Sequence, residues 1–199
     1  DVEAIVGYMT RIHQIKDYGV LPAMDSWSLL RLVKTYDSDV NDADLQTVLT
    51  TIKPVVDKMR ALDLDNEKKF PKTLAHGDLH PFNILKGGEN DYCILDLGCM
   101  DHEQRIADLA IFMSMACADF TNKEKTTELF NAAVAAYEKN IKLTPSERKA
   151  LPTLIKANYA MFALRTAELL RKYPDDAEVK QFHERGMRGL KFMEELGWK

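Results

Sequence analysis

Residues 75–85 read AHGDLHPFNIL, and residues 93–98 read CILDLG. His76, Asp78, His80 and Asn83 crowd into one short stretch, and an apolar run then leads into Asp96. Three readings compete for this pattern: a phosphoryl-transfer loop, a metal-hydrolase loop, or a polar turn between strands with no chemistry. Handing a γ-phosphoryl group to an alcohol asks little covalent work of a protein. It needs a carboxylate to orient the hydroxyl and accept its proton, and oxygen ligands for the Mg2+ that neutralises the phosphates. Asp78 suits the first task. Asn83 and Asp96 offer an amide and a carboxylate oxygen, hard donors of the kind Mg2+ takes when it keeps several waters. Gly98 then lets the chain turn sharply after the second of them.

The hydrolase reading fails on ligand count. GDLH at 77–80 has the G-D-x-H form that dinuclear phosphoesterases often use, but such a site also needs an upstream D-x-H and several later histidines. Residues 1–70 contain only His13, with no Asp two positions before it, and His102 and His183 stand alone downstream. Within the loop itself, His76 reads as a buried, hydrogen-bonded structural histidine. His80 either touches phosphate or substrate or only fills the loop. Asp101, with His102 and Glu103, either lines an acceptor site or belongs to a solvated charge run. Arg105 pairs locally with one of these three.

These residues need elements to position them. KTLAH at 72–76 reads as extended. NILK at 83–86 and DYCIL at 91–95 flank GGEN, whose glycines and Asn take positive φ cheaply, so the spacing predicts a β-hairpin. It is short and must pack on something helical. The flanks are helical by pattern. Residues 2–17 place Ile5, Met9, Ile12 and Ile15 at helical spacing. Ser26 caps a second helix through Tyr36, with Trp27, Leu30 and Val33 on one face. Asn41 or Asp42 caps a third, running to about Leu62, in which Pro54 predicts a kink or break near Lys53. Residues 105–117 are apolar nearly all round, the mark of a buried central helix. Residues 122–140 are amphipathic. Thr144, Pro145 and Glu147 form a capping box that starts a helix to about Lys172, and Pro174 opens the last one, through Leu196.

The chain has 199 residues, 46% of them hydrophobic, and a formal net charge of −4. That length suits one domain, residues 1–199, divided into a helical part at 1–70, the catalytic loop and metal-binding hairpin at 72–104, and a helical, acceptor-side part at 105–199. The acidic balance argues against nucleic acid as the main partner. No apolar stretch approaches the roughly 20 residues that span a bilayer, so no membrane partner is expected. Three cysteines outside any C-x-x-C spacing fit reduced thiols and a cytoplasmic location.

Taken together, HGDLHPFNIL, ILDLG and RIADLA resemble the aminoglycoside phosphotransferase and choline kinase-like family of small-molecule kinases. The likeness is tight over residues 74–112. It is looser in YMTRIHQI, similar to the family's first large-lobe helix, and in LTPSERKALPTLIKANYA, similar to its C-terminal helices. The resemblance implies an ATP- and Mg2+-dependent transfer to a hydroxyl of a small molecule such as an aminoglycoside, choline or homoserine. By it Asp78 is the catalytic base, Asn83 and Asp96 bind the metal, and Asp108 holds the catalytic loop by accepting hydrogen bonds near His76. It also implies an N-terminal, mainly β lobe carrying a nucleotide-covering loop, and nothing like that precedes Asp1. The expected fold is therefore mainly α with a small β-hairpin region: the C-terminal lobe of a protein kinase-like α+β fold, without its N-terminal β lobe. Such a lobe would have an incomplete nucleotide site and little activity alone. The face left by the missing lobe would be apolar and open to self-association. The competing class is a pseudokinase-like binding module.

Overall fold

A computed structural model describes residues 1–19, 21, 27–89 and 91–199. Along the chain its main elements are α1 (Val2–His13), α2 (Leu32–Asp39), α3 (Gln46–Arg60), β1 (Lys72–Ala75), β2 (Ile84–Gly88), β3 (Asp91–Ile94), β4 (Asp101–Gln104), α4 (Ile106–Phe112), α5 (Lys123–Asn140), α6 (Pro145–Lys172) and α7 (Ala177–Leu196). The fold is thus mainly helical, with small antiparallel β regions in the middle. Contacts divide it into two compact units, residues 1–26 with 63–151, and residues 27–62 with 152–199; α6 runs from the first into the second.

The first unit carries both β ribbons. β2 pairs antiparallel with β3, Ile84 facing Ile94 and Lys86 facing Tyr92. β1 pairs antiparallel with β4, Lys72 facing Gln104 and Ala75 facing Asp101. This second ribbon turns the expected charge run at 101–103 into a strand. Asp, His and Glu are poor strand formers, and the partner lies about thirty residues away, so only tertiary pairing reveals it. Under the ribbons lie α1, which packs along α5, and α4, whose seven residues are all buried. After Phe112 the helix widens into a π segment, Met113–Cys117, instead of continuing as a regular helix.

Arg105 departs from its expected neighbours. It makes a two-pronged bond to Glu147, Nε to Oε1 at 2.8 Å and Nη2 to Oε2 at 2.9 Å. Glu147 is fully buried and also closes the expected capping box: Oε2 accepts from the Thr144 N–H, and Thr144 Oγ1 accepts from the Glu147 N–H. One carboxylate thereby ties the start of α6 to the residue that opens α4.

Several expected boundaries move. α1 stops at His13, four residues early, because Gln14 and Ile15 bond three residues back and tighten the last turn; Ile15 is 45% exposed. The hairpin's Gly87 and Gly88 do not take positive φ. They lie at a register shift in the strand, and Asn90 is outside the described residues.

In the second unit, Ser26 is likewise outside the described residues, and the cap observed is Ser28, whose hydroxyl accepts from the Leu30 N–H. The buried face here is Leu29, Leu32 and Tyr36, not Trp27, Leu30 and Val33. Paired apolar residues at 29–30 and 32–33 make the two faces indistinguishable by period. Asp42 caps a short 3-10 turn that leads into α3, and α3 passes through Pro54 unbroken. Thr50, whose carbonyl loses its partner there, is exposed, so water can take the place of the missing bond. Pro174 does not open α7; Asp176 caps it, accepting from the Glu178 and Val179 N–H groups.

Gly186 and Gly189 of α7 explain how α7 meets α6. A Cβ on Gly186 would sit 2.8 Å from the Tyr159 carbonyl oxygen and from the Ala163 nitrogen, both backbone atoms that cannot yield locally. Gly186→Ala should therefore lower stability by about 1–3 kcal/mol even though alanine is the better helix former. Thermal and denaturant unfolding would show it; an unchanged or raised midpoint would mean the helices do not meet there.

Candidate active site

The site begins with a residue far from the loop in sequence. Asp108, in the first turn of α4, is fully buried. Its Oδ2 accepts from the His76 N–H at 2.7 Å, and its Oδ1 accepts from the Gly77 N–H at 2.8 Å. His13 Nε2 reaches Oδ2 as well, at 3.0 Å, and His13 Nδ1 meets the Tyr137 hydroxyl at 2.8 Å. Burial alone would raise the Asp108 ionisation, but the bond from His13 and the two backbone N–H groups more than offset it and hold it below its ordinary value. Burial pushes the Tyr137 phenol up, so the hydroxyl keeps its proton. His13 and Tyr137 were not legible as loop supports. The signal available was a histidine on the apolar face of α1, four residues after Met9.

Gly77 is the second support. Its φ of +79° is costly for any other residue, and a Cβ there would collide with the Cys99 carbonyl oxygen. The catalytic loop and the turn after β3 are thus pressed backbone to backbone.

His76 joins the same two segments. Its Nε2 donates to the Leu95 carbonyl at 2.9 Å, and its Nδ1 accepts from the Asp78 N–H at 3.2 Å. Both ring nitrogens are occupied inside the fold. Asp78 is then held from the other side: Asn83 Nδ2 donates to the Asp78 carbonyl at 2.9 Å and to Asp78 Oδ2 at 3.0 Å. Asn83 itself is buried, and its backbone carbonyl accepts from the Leu95 N–H at 2.9 Å. That leaves Asn83 Oδ1 as its acceptor for a cation. Asp96 follows directly on Leu95.

Asp96 is the one non-glycine with positive φ among the described residues, at +55°. Aspartate tolerates this left-handed conformation better than most residues. Here its Oδ1 accepts from the Gly98 N–H at 3.2 Å, closing a local turn. The expected sharp turn is therefore made by Asp96 and not by Gly98, which keeps negative φ. Glycine is wanted at 98 for room, because a Cβ would lie 3.1 Å from that carboxylate oxygen. Burial, with the negative charges of Asp78, Asp96 and Glu103, raises the Cys99 thiol.

His80 spends its ring within the loop. Nδ1 accepts from the Phe82 N–H at 3.2 Å, which leaves the proton on Nε2, 3.3 Å from Asp78 Oδ2. The 3.5 Å approach of Asn83 Nδ2 to that same Nε2 is then donor to donor, a contact and not a bond. Asp101 opens β4 opposite Ala75, and its Oδ1 accepts from the His102 N–H at 2.7 Å. Of the residues singled out by sequence, Asp78, Asn83, His76, His80 and Asp108 are joined by polar contacts, Asp96 follows Leu95, whose backbone bonds to His76 and Asn83, and Asp101 opens β4 opposite Ala75.

The donor set fits Mg2+: an amide oxygen at Asn83 and a carboxylate at Asp96, both hard and both few, as that ion prefers. Among the described residues no three His, Cys, Asp or Glu side chains gather into a group that could hold a metal ion.

Two antiparallel ribbons set in a helical body, with a braced His-Gly-Asp loop facing an Asp-Leu-Gly turn, define a kinase-like phosphotransferase fold. The chain belongs to the phosphotransferase enzyme family, whose model matches residues 2–151. A homoserine kinase of Zymomonas mobilis subsp. mobilis is 30% identical over 112 residues, covering 56% of this chain and 35% of that protein. An ethanolamine kinase of Plasmodium vivax has the same fold, with a TM-score of 0.62 at 15% identity over 96% of this chain and 58% of its own. A spectinomycin phosphotransferase in its AMP-bound complex gives 0.55 at 15% identity, over 97% of this chain and 66% of its own. The chain thus spans about a third of the length of the curated relative and under two thirds of both solved structures.

Asp108→Asn tests the clamp. An amide can accept from one of the two N–H groups but turns a donor toward the other, so stability should fall by about 3 kcal/mol. Because Asp108 ionises below its ordinary value, its contribution is complete above about pH 4 and drains away as pH falls through the folded value. The gap between wild type and variant should accordingly be flat near neutrality and shrink in acid. Denaturant unfolding across pH measures it, and a gap that widens in acid would contradict the assignment.

Proposed function

We propose that the protein carrying this sequence transfers the γ-phosphoryl group of ATP to a hydroxyl of a small molecule, with Asp78 as the base. The observation that carries the reading is the bracing of Asp78 by Asn83, and of Asn83 by the strand that delivers Asp96. Asn83 Nδ2 fixes Asp78 Oδ2, which leaves Oδ1 to face the alcohol and take its proton. The same pair of bonds turns Asn83 Oδ1 outward, and the left-handed turn at Asp96 presents the second ligand. Mg2+ held there would neutralise the phosphate oxygens as charge shifts during transfer. His76 and Asp108 keep the loop in place and touch no reactant.

Family membership supports this reading, and the relatives narrow the acceptor. Homoserine, ethanolamine and spectinomycin, named for three of them, are all amines that carry a hydroxyl. Amino alcohols are therefore the acceptor class to try first. In this reading the chain supplies the catalytic half of the active site, the large lobe. Phe82, Leu85 and Leu97, exposed at 74%, 56% and 56% around the loop and hairpin, then become the surface that a nucleotide and its covering lobe would bury.

In the complete protein, Asp78→Asn should lower kcat about 10²–10⁴-fold while leaving the unfolding midpoint nearly unchanged. Turnover close to wild type would remove Asp78 from the chemistry. Asp96→Ala should abolish Mg2+-dependent nucleotide binding measured by calorimetry; retained affinity would mean the cation sits elsewhere. A panel of amino alcohols, aminoglycosides and simple sugars with ATP would identify the acceptor.

A further inference from the structure

The unit of residues 1–26 and 63–151 holds a second concavity, of about 500 Å3. Its polar lining includes Lys16, Tyr18, Lys72, His102 and Arg105, and Ile15, Leu74 and Ile141 supply apolar wall. Asp78, Asn83 and Asp96 do not line it, while His13, which braces Asp108, does.

No carboxylate is among its described lining residues, although Thr73, which pairs with Glu103, also borders it. Lys72 faces Gln104 and Leu74 faces His102, so these share one side of the β1–β4 ribbon. Asp101 and Glu103 alternate to the other side. The remaining charges do not cancel. Arg105 is satisfied by Glu147, whereas Lys16 and Lys72 have no hydrogen-bond or ion-pair partner among the described residues. Two ammonium groups without ion-pair partners, in a hollow with no carboxylate among its described lining residues, create a local field for anions. Lysines act as point charges suited to phosphate, while the guanidinium fork that would favour a planar carboxylate is already taken. The Tyr18 and His102 rings, with centroids 6.2 Å apart, and the apolar wall leave room for an organic body.

We infer that this cavity is a second ligand site, for a small organic phosphate monoester whose two negative charges meet Lys16 and Lys72. The site does not depend on phosphoryl transfer by Asp78, so the two readings fail separately.

The test is a titration with glycerol 3-phosphate, without Mg2+ or nucleotide, followed by calorimetry and by amide shifts. Glycerol, inorganic phosphate and glycerate are the comparison ligands. Wild type and Asp78→Asn should bind glycerol 3-phosphate equally, with shifts at Lys16, Lys72 and His102. Lys16→Ala combined with Lys72→Ala should weaken binding about tenfold or more, and the paired Lys→Arg variant should restore it. Each comparison ligand should bind more weakly than glycerol 3-phosphate. The inference is overturned if wild type shows no saturable binding, if the alanine pair binds normally, if the arginine pair does not bind, if Asp78→Asn loses binding, or if glycerate or inorganic phosphate binds as well.

Discussion

A carboxylate with no exposed surface, that of Asp108, holds the His-Gly-Asp loop on which the proposed chemistry depends. Taking such a group out of water costs several kcal/mol, and it stays charged only because donors surround it. The His76 and Gly77 N–H groups and the His13 ring supply them, and the Tyr137 hydroxyl sets the ring. The loop cannot shift without stripping those bonds from a buried charge. Asp78 therefore comes to its position through backbone that is already committed, and its own side chain needs only the amide of Asn83 to complete its orientation. Preorganisation of this kind is what a phosphoryl-transfer site needs, since positioning and electrostatics carry nearly all of that catalysis.

The second half of the site is delivered by contact between backbones. Gly77 lies against Cys99, His76 donates to Leu95, and Asn83 accepts from Leu95, so the loop and the turn after β3 meet in one close backbone approach and two hydrogen bonds. The left-handed backbone of Asp96 is stored strain of the sort that gathers at functional sites. It is tolerable because the residue is an aspartate and because its side chain closes on Gly98. The same carboxylate thus shapes the turn and is the one proposed to bind the cation.

Much of this was readable from local spacing. The turn of the His-Gly-Asp loop, the hairpin after it and the capping box at Thr144 and Glu147 all rest on residues within a few positions of one another, where chain geometry dictates who meets whom. What escaped was non-local. β4 is made of residues that seldom form strands and exists because β1 offers it a partner. His13 reaches Asp108 from α1 and Tyr137 reaches His13 from α5, and nothing in a helical period marks a buried polar residue as a clamp. Arg105 chose Glu147, forty-two positions on, over three acidic or titratable neighbours just before it. Pro54 sits inside α3 at a place where Thr50, whose carbonyl it orphans, is exposed, a fact of tertiary structure. The left-handed conformation at Asp96 had a local signal, an aspartate two residues before a glycine, and the turn was expected, but on the wrong residue.

The central claim is convergence: Asp78, Asn83 and Asp96 serve one cation-phosphate point. Paramagnetic broadening tests it most directly. Mn2+ with ADP, added to the isotopically labelled protein, should first erase the amide signals of Asp78, Asn83 and the Asp96–Gly98 turn, while α5 and the hairpin tip at Gly87 and Gly88 stay sharp. Broadening that spares Asp96, or that centres on any other part of the chain, would contradict the account.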